Sequence, residues 1–309
     1  MKKKLRVAVL MGGPSAEYAV SLNTGKMVLK NLDPEKYQAK PLLIKKTGEW
    51  SISLRRLKSN FDIVFIAMHG EYGEDGTVQV LLDKYRIRYT GSRAEASTVG
   101  MDKIKSFASF KKAGLEIPAY EITKSRMANP VLNVPLAVKP ADRGSSVGLS
   151  IIENENEIEK SLKLAFRYSK KVIVQKYVKG REFTCGIVEI NGKPVALPVT
   201  EIIPLKRKFF DYYSKYSKGA SKEITPAEIQ KSDALKIQEA ALKAHKAIGA
   251  SGYSRSDFIW GENGRLYILE INTLPGLTKT SLLPQAAKVI GISFPKLLDL
   301  IIESGIKTK

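Results

Sequence analysis

Two short runs of consecutive apolar residues lie near the start of the chain, and each is followed by a turn and a helical pattern. Residues 5–11 read LRVAVLM before a turn at 12–15, and residues 61–68 read FDIVFIAM before a polar loop at 69–76. Unbroken apolar runs of this length are typical of strands that are buried in a parallel sheet. The repeated order of strand, loop and helix therefore predicts an α/β unit with a doubly wound parallel sheet over residues 1–98.

The pattern changes after residue 99, where a helix at 101–113 and further strands are predicted. The strand at 134–138 places Lys139 directly before a loop of small residues at 141–148. A lysine beside such a loop suits the phosphates of a nucleotide, because backbone N–H groups and the ammonium can neutralise the same oxygens. The loop lacks the Walker spacing GxxxxGK[ST], and an edge lysine before a flexible loop fits the pattern equally well.

A strand at 172–177 leads through a short linker into two strands joined at Asn191-Gly192. A strand that ends between two domains can present backbone N–H and C=O groups to an adenine ring, and we expect the central domain to end near residue 180. Residues 205–225 are rich in Lys, Tyr, Phe and Ser and have no clear period, which predicts a long functional loop. A helix at 227–248 follows.

The strongest turn signal in the chain is Asn263-Gly264, which has alternating apolar residues on both sides and predicts a β-hairpin. With these two residues at the tip, Glu270 lies opposite Asp257, and Asn272 lies opposite Arg255. Side chains alternate between the two faces of a strand, so the other face is apolar and belongs to the core. That predicted core face consists of Phe258, Trp260, Tyr267, Leu269 and Ile271, with Tyr267 opposite Trp260 and Leu269 opposite Phe258.

Two carboxylates that face each other across a hairpin repel, so Asp257 and Glu270 need a neighbouring cation. Together with the amide oxygen of Asn272, they form a set of oxygen ligands that suits Mg²⁺, which usually completes its coordination with water and nucleotide phosphates. Arg255 could supply the positive charge instead. In that case the side chains form an ion network without a metal.

The chain has 309 residues and a net charge of +20, and its length predicts two or three domains. The excess of positive charge raises nucleic acid or an anionic substrate as a partner. However, the basic residues are spread along the chain, without a basic arm or a zinc-finger pattern, so we expect no nucleic-acid partner.

The single cysteine, Cys185, excludes an internal disulfide framework, and with only two histidines it leaves no zinc cluster. No apolar run is long enough to cross a bilayer, and the first residues pass from lysines directly into a strand, unlike a signal peptide. We therefore expect a cytoplasmic protein with no membrane partner.

Seven motifs resemble, in their order and over nearly the whole chain, the D-alanine–D-alanine ligase family of the ATP-grasp superfamily. They are GGPSAEYAVSLN at 12–23, HGEYGEDGTVQ at 69–79, MDK at 101–103, VKPADRGSSVG at 138–148, FDYYSKY at 210–216, SRSDF at 254–258 and LEINTLPGLTKTSLLP at 269–284. The resemblance implies that the doubly wound domain (1–98) is followed by a two-part ATP-grasp fold. Its central (99–180) and C-terminal (181–309) domains are both expected to be α+β.

The resemblance also implies that ATP binds between the central and C-terminal domains. Its phosphates would contact Lys103, Lys139 and Lys215. Its adenosine would contact Gln175, Lys176, Val178 and Glu182. The family's metal ligands match Asp257, Glu270 and Asn272, which implies two Mg²⁺ ions, with Mn²⁺ as a substitute.

For the substrates, the resemblance implies that Glu17 holds the ammonium of the first D-alanine, and that Ser145 and Tyr216 form hydrogen bonds that tie a lid to this glutamate. Arg255 and the backbone of Gly276 match the groups that stabilise a tetrahedral oxyanion. The carboxylate of the second D-alanine matches Ser281 and Leu282, and His69 matches a histidine of the substrate pocket.

The activity implied is the ATP-dependent joining of two D-alanines through an acyl phosphate, for peptidoglycan precursor synthesis, by a homodimer. The chain departs from the family pattern at Tyr18, at Asp142-Arg143, at Gln175 and at Phe210. Two alternatives are a ligase that joins D-alanine to a hydroxy acid such as D-lactate, and a basic nucleic-acid-binding protein that retains the fold. The nucleic-acid-binding alternative is disfavoured, because the chain keeps Lys139, Ser145 and the residues that match the family's metal ligands.

Overall fold

The structure, a computed structural model, describes residues 3–205, 221–278 and 280–307. The described residues form one parallel sheet and two sheets built from antiparallel pairs, with helices packed on them.

The first sheet is parallel and contains β1 (Leu5–Gly12) between β2 (Tyr37–Ile44) and β3 (Ile63–Ile66). This part of the chain also forms helices α1 (Tyr18–Asn31), α2 (Leu54–Asn60), α3 (Thr77–Lys84) and α4 (Ala94–Met101). The side chains from Val7 to Leu10 have 0% exposure, as expected for a strand covered on both faces. The parallel strands predicted from the two apolar runs are thus confirmed, although β3 is shorter than its run.

The central sheet contains β4 (Tyr120–Thr123), β5 (Leu136–Pro140), β6 (Ser150–Ile152) and β7 (Val172–Lys176), in the order β4-β7-β5-β6 and with antiparallel pairing. The same part of the chain forms helices α5 (Lys103–Lys112) and α6 (Ile158–Ala165), with a short 3-10 turn at Glu155–Glu157. The helix predicted at 101–113 begins two residues later, because Asp102 caps α5 by accepting a hydrogen bond from the backbone N–H of Ile104 at 2.9 Å.

The third sheet contains β8 (Gly180–Ile190), β9 (Lys193–Ala196), β10 (Thr200–Pro204), β11 (Ser221–Ile224), β12 (Tyr253–Gly261) and β13 (Leu266–Asn272). Its order is β11-β10-β8-β12-β13, and β9 pairs with β8 outside this path. Helices α7 (Lys231–Ala247), α8 (Leu282–Val289) and α9 (Phe294–Lys307) complete the described elements.

The long loop predicted at 205–225 is shorter at its carboxyl end, because Ser221–Ile224 form β11 and pair with β10. Residues 206–220 lie outside the described residues, and with them lie Phe210 and the predicted site residues Lys215 and Tyr216.

The hairpin of β12 and β13 has the predicted register at its polar end, where Asp257 pairs with Glu270 and Arg255 pairs with Asn272. Near the turn the predicted register is wrong by one residue. The backbone N–H of Gly261 donates to the carbonyl of Arg265 at 2.9 Å, so the turn contains three residues rather than two. A bulge between Asp257 and Phe258 removes the offset before the polar end is reached.

Because of this offset, the predicted core residues Tyr267 and Leu269 lie on the other face of the hairpin. Tyr267 pairs with Ile259 rather than Trp260, and Phe258 pairs with Ile268, so Ile268 takes the core position that was predicted for Leu269. Leu269 is left without a partner in the ladder and lines a cavity instead.

Helices α8 and α9, which follow the third sheet in the chain, pack into the hydrophobic core around the first sheet. Leu297, Leu298 and Ile301 of α9 have 0% exposure there. A polar contact supports the packing, since Asp299 of α9 accepts hydrogen bonds from Lys36 Nζ at 2.7 Å and from the hydroxyl of Tyr37 at 2.8 Å.

Candidate active site

Two cavities share Lys103 and Glu270 in their walls, one of about 630 Å³ and one of about 140 Å³. Of the other predicted site residues, the larger cavity is lined by Glu17, His69, Ser145, Arg255, Asn272, Gly276, Ser281 and Leu282. The smaller cavity is lined by Lys139, Gln175, Lys176, Val178, Glu182 and Asp257. The structure thus separates the residues expected around small substrates from those expected around a nucleotide, and joins the two sets at one lysine and one carboxylate.

The carboxylate of Glu17 meets the loop between β5 and β6 across the larger cavity. Glu17 precedes α1, its residue surface is only 7% exposed, and its Oε1 accepts a hydrogen bond from Ser145 Oγ at 2.7 Å. Ser145 and Ser146 have positive φ angles of 53° and 57°, a strained backbone conformation for residues with a Cβ. This backbone conformation accompanies the hydrogen bond from the Ser145 hydroxyl to the carboxylate of Glu17, which lies 128 residues away in the chain.

His69 is held between two polar side chains in the wall of the larger cavity. Its Nε2 lies 2.8 Å from Thr24 Oγ1, and its Nδ1 lies 3.3 Å from Glu74 Oε1. Desolvation raises the pKa of Glu74, the bond to His69 opposes that shift, and the nearby charge of Glu17 raises the pKa further. Sequence reasoning gave Glu74 no role, although it belongs to the same motif as His69.

Two lysines converge where the cavities meet. Lys103 Nζ lies 3.2 Å from Glu270 Oε2 and donates a hydrogen bond to the backbone carbonyl of Arg143 at 2.8 Å. Desolvation and, to a smaller extent, the positive charge of Lys103 lower the pKa of Lys139 to about 8, while the charge of Glu270 opposes the shift. A polyanion in the smaller cavity would offset both unfavourable effects, because its negative charge favours the charged form of Lys139.

The facing acids of the hairpin each contact a cation. Arg255 binds Asp257 in a bidentate pair, with Nε to Oδ1 and Nη2 to Oδ2 both at 2.9 Å, and Thr184 Oγ1 donates to the same Oδ1 at 2.7 Å. Glu270 contacts Lys103, as described above. Arg255 therefore forms the ion pair with Asp257 that the sequence left open as an alternative, and Lys103 forms a further one with Glu270.

The same acids also fit a hard cation. The described residues gather no group of three or more His, Cys, Asp or Glu side chains that could hold a metal. A metal here would therefore use Asp257 and Glu270 with the amide oxygen of Asn272 and with oxygens from a bound phosphate. The oxygen Asn272 Oδ1 is already oriented, because it accepts a hydrogen bond from the backbone N–H of Leu274 at 2.7 Å.

The residues expected around adenosine lie at the end of β7 and the start of β8. Gln175 is buried, and its Nε2 donates to the carbonyl of Pro118 at 3.3 Å. The ammonium of Lys176 donates to the carbonyl of Asn133 at 2.9 Å. Val178 and Glu182 contribute to the wall of the same cavity.

A turn between β13 and α8 forms another part of the wall of the larger cavity. Ser281 Oγ accepts a hydrogen bond from the backbone N–H of Thr278 at 2.9 Å. A Cβ atom at Gly276 would lie 2.8 Å from this Oγ, so a side chain at that position would push Ser281 out of place. Leu282 begins α8 directly after this turn.

Asp142 and Arg143, where the chain departs from the family pattern, lie in the loop between β5 and β6. This loop makes an ion pair with the loop that follows β3. Arg143 Nη1 lies 2.6 Å from Glu71 Oε1, and the exposures of the two side chains are 31% and 47%. Tyr18 lies under Lys46, whose Nζ is 5.3 Å from the ring centroid. Sequence reasoning did not find the Glu71–Arg143 pair, because neither residue has a neighbour in the chain that indicates the other.

Within the part of the chain that the structure describes, no helix is both long and apolar enough to cross a membrane.

Comparison with known proteins gives a consistent result over nearly the whole chain. The family model described as "D-ala D-ala ligase C-terminus" matches residues 96–303, and the model described as "D-ala D-ala ligase N-terminus" matches residues 6–60 and 51–92. A D-alanine–D-alanine ligase of Thermotoga maritima is 42% identical over 301 residues, which are 97% of each chain. One from Syntrophobacter fumaroxidans is 41% identical over 315 residues, with 99% of each chain covered.

Solved structures agree with these relatives. The VanG D-Ala:D-Ser ligase from Enterococcus faecalis has a TM-score of 0.88 at 31% identity, over 98% of this chain and 100% of that one. The D-alanine–D-alanine ligase from Bacillus anthracis, complexed with ATP, has a TM-score of 0.82 at 33% identity, over 98% of both chains.

Proposed function

This chain belongs to the D-alanine–D-alanine ligase family, and we propose on that basis that it joins two D-alanines into D-alanyl-D-alanine for peptidoglycan precursor synthesis. ATP is converted to ADP and phosphate in the reaction. The observation that carries this proposal is the pair of cavities that meet at Lys103 and Glu270. A nucleotide in the smaller cavity can direct its γ-phosphate towards a carboxylate substrate in the larger one.

The smaller cavity fits ATP by its charges as well as by its position. Lys139 and Lys103 lie where the phosphates would be neutralised, and the β7–β8 connection with Gln175, Lys176, Val178 and Glu182 would surround adenosine. Asp257, Glu270 and Asn272 would hold two Mg²⁺ ions, for which Mn²⁺ can substitute. When bound, these ions neutralise charge on the transferred phosphoryl group.

In the first step, the carboxylate of the first D-alanine attacks the γ-phosphorus of ATP, and the bond to ADP breaks. An acyl phosphate is formed. Glu17 would bind the ammonium of this D-alanine, and Ser145 would keep the Glu17 carboxylate in position through the 2.7 Å hydrogen bond. His69, held by Thr24 and Glu74, would shape the pocket beside it.

In the second step, the amine of the second D-alanine attacks the carbonyl carbon of the acyl phosphate. Arg255 and the backbone N–H of Gly276 would stabilise the oxyanion of the tetrahedral intermediate, and phosphate then leaves. Ser281 and Leu282 would bind the carboxylate of the second D-alanine. The remaining predicted residues, Lys215 on the phosphates and Tyr216 as a partner of Ser145, are proposed from the family resemblance alone.

We further propose the domain division 1–98, 99–180 and 181–309, a cytoplasmic location and a homodimer. The sheets support the division, since the first two lie within 1–98 and 99–180 and the third begins at Gly180, one residue before the last range. The small-molecule partners are D-alanine and ATP.

The function is tested by incubating the protein with ATP, Mg²⁺ and either D-alanine or L-alanine, while phosphate release is measured and products are identified by mass spectrometry. We expect D-alanyl-D-alanine with D-alanine and no dipeptide with L-alanine. Substituting Glu17→Gln should lower kcat/KM for D-alanine roughly 10²-fold or more, because a desolvated charge pair with the substrate is lost. The exposed Glu35→Gln is the matched control. Turnover with L-alanine alone would contradict the substrate assignment.

The Glu71–Arg143 ion pair predicts a smaller effect on the same reaction. Both side chains are partly exposed, so reversing one charge should lower kcat/KM only about two- to fivefold, through weaker closure of the loop that carries Ser145. Combining Glu71→Arg with Arg143→Glu should restore most of the loss, and 0.5 M salt should reduce the difference between all four proteins. If the fold-loss of kcat/KM in the double variant equals the product of the fold-losses in the two single variants, the ion pair does not position the loop.

A further inference from the structure

Tyr72, in the loop that follows β3, has a backbone conformation that a tyrosine rarely adopts. Its φ angle is 71°, and a bulky residue with a positive φ is a strained outlier. Such strain persists only where the surrounding structure holds the residue in place, and it is common beside functional sites. Tyr72 lines neither of the two cavities, and no step described above uses it. The strained conformation must therefore be held by contacts within the protein.

Hydrogen bonds hold Tyr72 at both of its backbone groups and at its hydroxyl. The backbone N–H donates to Asp75 Oδ2 at 3.0 Å, and the carbonyl accepts from the backbone N–H of Val78 at 3.0 Å. The hydroxyl accepts from Nε1 of Trp50 at 2.9 Å. Asp75 and Val78 belong to the same loop and to α3, whereas Trp50 lies 22 residues before Tyr72, where the chain turns back after β2 and pairs with Ile44. The indole of Trp50 thus ties the conformation of Tyr72 to the first sheet.

The residues on either side of Tyr72 contact the residues proposed for the first substrate or the loop that carries them. Glu71 makes the ion pair with Arg143 of the loop between β5 and β6, and Oε1 of Glu74 lies 3.3 Å from Nδ1 of His69. The φ and ψ angles of one residue set the direction of the chain before and after it, so a change at Tyr72 moves both carboxylates. The conformation of Tyr72 therefore acts first on the side of the larger cavity that is proposed for the first D-alanine.

Resting on the proposed function, we propose that Trp50 is a positioning residue for the first D-alanine. Its indole N–H holds Tyr72 in the strained conformation, and Tyr72 in turn keeps Glu74 beside His69. Without this hydrogen bond the loop relaxes, so only a fraction of the molecules presents His69 correctly, and the apparent affinity for the first D-alanine falls by that fraction. Trp50 itself lines neither cavity. The residues proposed for the phosphates of ATP and for the second D-alanine lie on other elements, so these two affinities stay nearly unchanged.

The proposal is tested by steady-state kinetics in which ATP and D-alanine are varied in turn, over a range of D-alanine that separates its two sites. Trp50→Phe keeps an aromatic ring and removes the N–H donor, and Tyr72→Phe removes the acceptor. In each variant KM for the first D-alanine should rise about three- to tenfold, the effect of one neutral hydrogen bond, while the KM values for ATP and for the second D-alanine change by less than about twofold. The double variant should match the single variants, because both substitutions remove the same hydrogen bond.

Two further variants separate the backbone conformation of Tyr72 from the packing of its ring. Tyr72→Asn and Tyr72→Ala both remove the ring, but asparagine adopts a positive φ more readily than alanine does. KM for the first D-alanine should therefore rise less in Tyr72→Asn than in Tyr72→Ala. Equal rises in these two variants would show that the ring packing matters and the backbone conformation does not, which contradicts the proposal.

Trp260→Phe is the matched control, because Trp260 is the other tryptophan of the chain and lines neither cavity. It should leave all three KM values unchanged. An unchanged KM for the first D-alanine in Trp50→Phe and Tyr72→Phe, or equal rises in all three KM values, would overturn this inference and leave the proposed function standing. The absence of any dipeptide with the wild-type protein would overturn the proposed function itself.

Discussion

Substituting Lys139→Met should lower kcat/KM for ATP about 10²–10³-fold, because in the proposed mechanism Lys139 neutralises phosphate charge as it develops. The exposed Lys160→Met on α6 is the control and should not change the rate. Steady-state kinetics with ATP as the varied substrate give the measurement. A variant with unchanged kcat/KM would show that Lys139 is an edge lysine without contact to the nucleotide.

The lowered pKa of Lys139, about 8, adds a pH dependence with a defined sign. Above this pH the ammonium is increasingly deprotonated in the free protein, so the affinity for ATP should fall by up to about tenfold per pH unit, and binding should take up a proton. Calorimetry in buffers of different ionisation enthalpy measures that uptake. Lys139→Met should bind ATP weakly at every pH and take up no proton at this site.

Lys139 should also lower the free energy of unfolding of the protein when no ligand is bound. Its folded pKa lies below the unfolded value of 10.5, so the unfolded chain binds more protons between about pH 8 and pH 10.5, and stability rises with pH across that window. Below pH 8 the full cost is present. Lys139→Met should therefore be at least as stable as the wild-type protein at neutral pH, although it loses activity.

The second large effect concerns the acids of the hairpin. At a concentration of about a hundred times its dissociation constant, Mg-ATP should stabilise the wild-type protein by roughly 2.7 kcal/mol, and Glu270→Gln or Asp257→Asn should lose most of that gain and most turnover. Without ligands, Asp257→Asn should also be less stable by about 1–3 kcal/mol, because Arg255 loses its bidentate partner. Thermal melts with and without Mg-ATP give both quantities.

Glu262→Gln is the control for these melts, since Glu262 is an exposed acid at the turn of the same hairpin. It should keep the full response to Mg-ATP. If Glu270→Gln and Asp257→Asn are destabilised without ligands but respond fully to Mg-ATP, the two acids form only an ion network and do not hold a metal.

Much of the fold could be predicted from local patterns, because a buried parallel strand is apolar along its whole length. The runs that became β1 and β3 are of this kind, and the pairing of Asp257 with Glu270 followed from one turn signal. The faces of Tyr267 and Leu269 were predicted incorrectly because the pairing depends on two irregularities, a three-residue turn and a bulge. The turn and the bulge each shift the register by one residue, and neither can be recognised from the alternation of apolar residues.

The polar contacts between distant segments could not be predicted from the residues alone. Glu71 and Arg143 meet only because two loops from different sheets converge, and Glu223 of β11 accepts a hydrogen bond from Gln285 of α8, 62 residues later in the chain. The contact between Glu74 and His69 was easier to predict from the sequence, since both residues belong to one short motif. What the motif did not indicate is the desolvation that raises the pKa of Glu74.

The packing of α9 against the first sheet has a consequence for how the protein is made. Lys36 and Asp299 touch although 263 residues separate them, and Leu297, Leu298 and Ile301 complete a core whose strands are synthesised first. Loop-closure entropy delays contacts of this range during folding. We therefore expect residues 1–98, as they emerge from the ribosome, to keep an apolar face open until α9 has been translated.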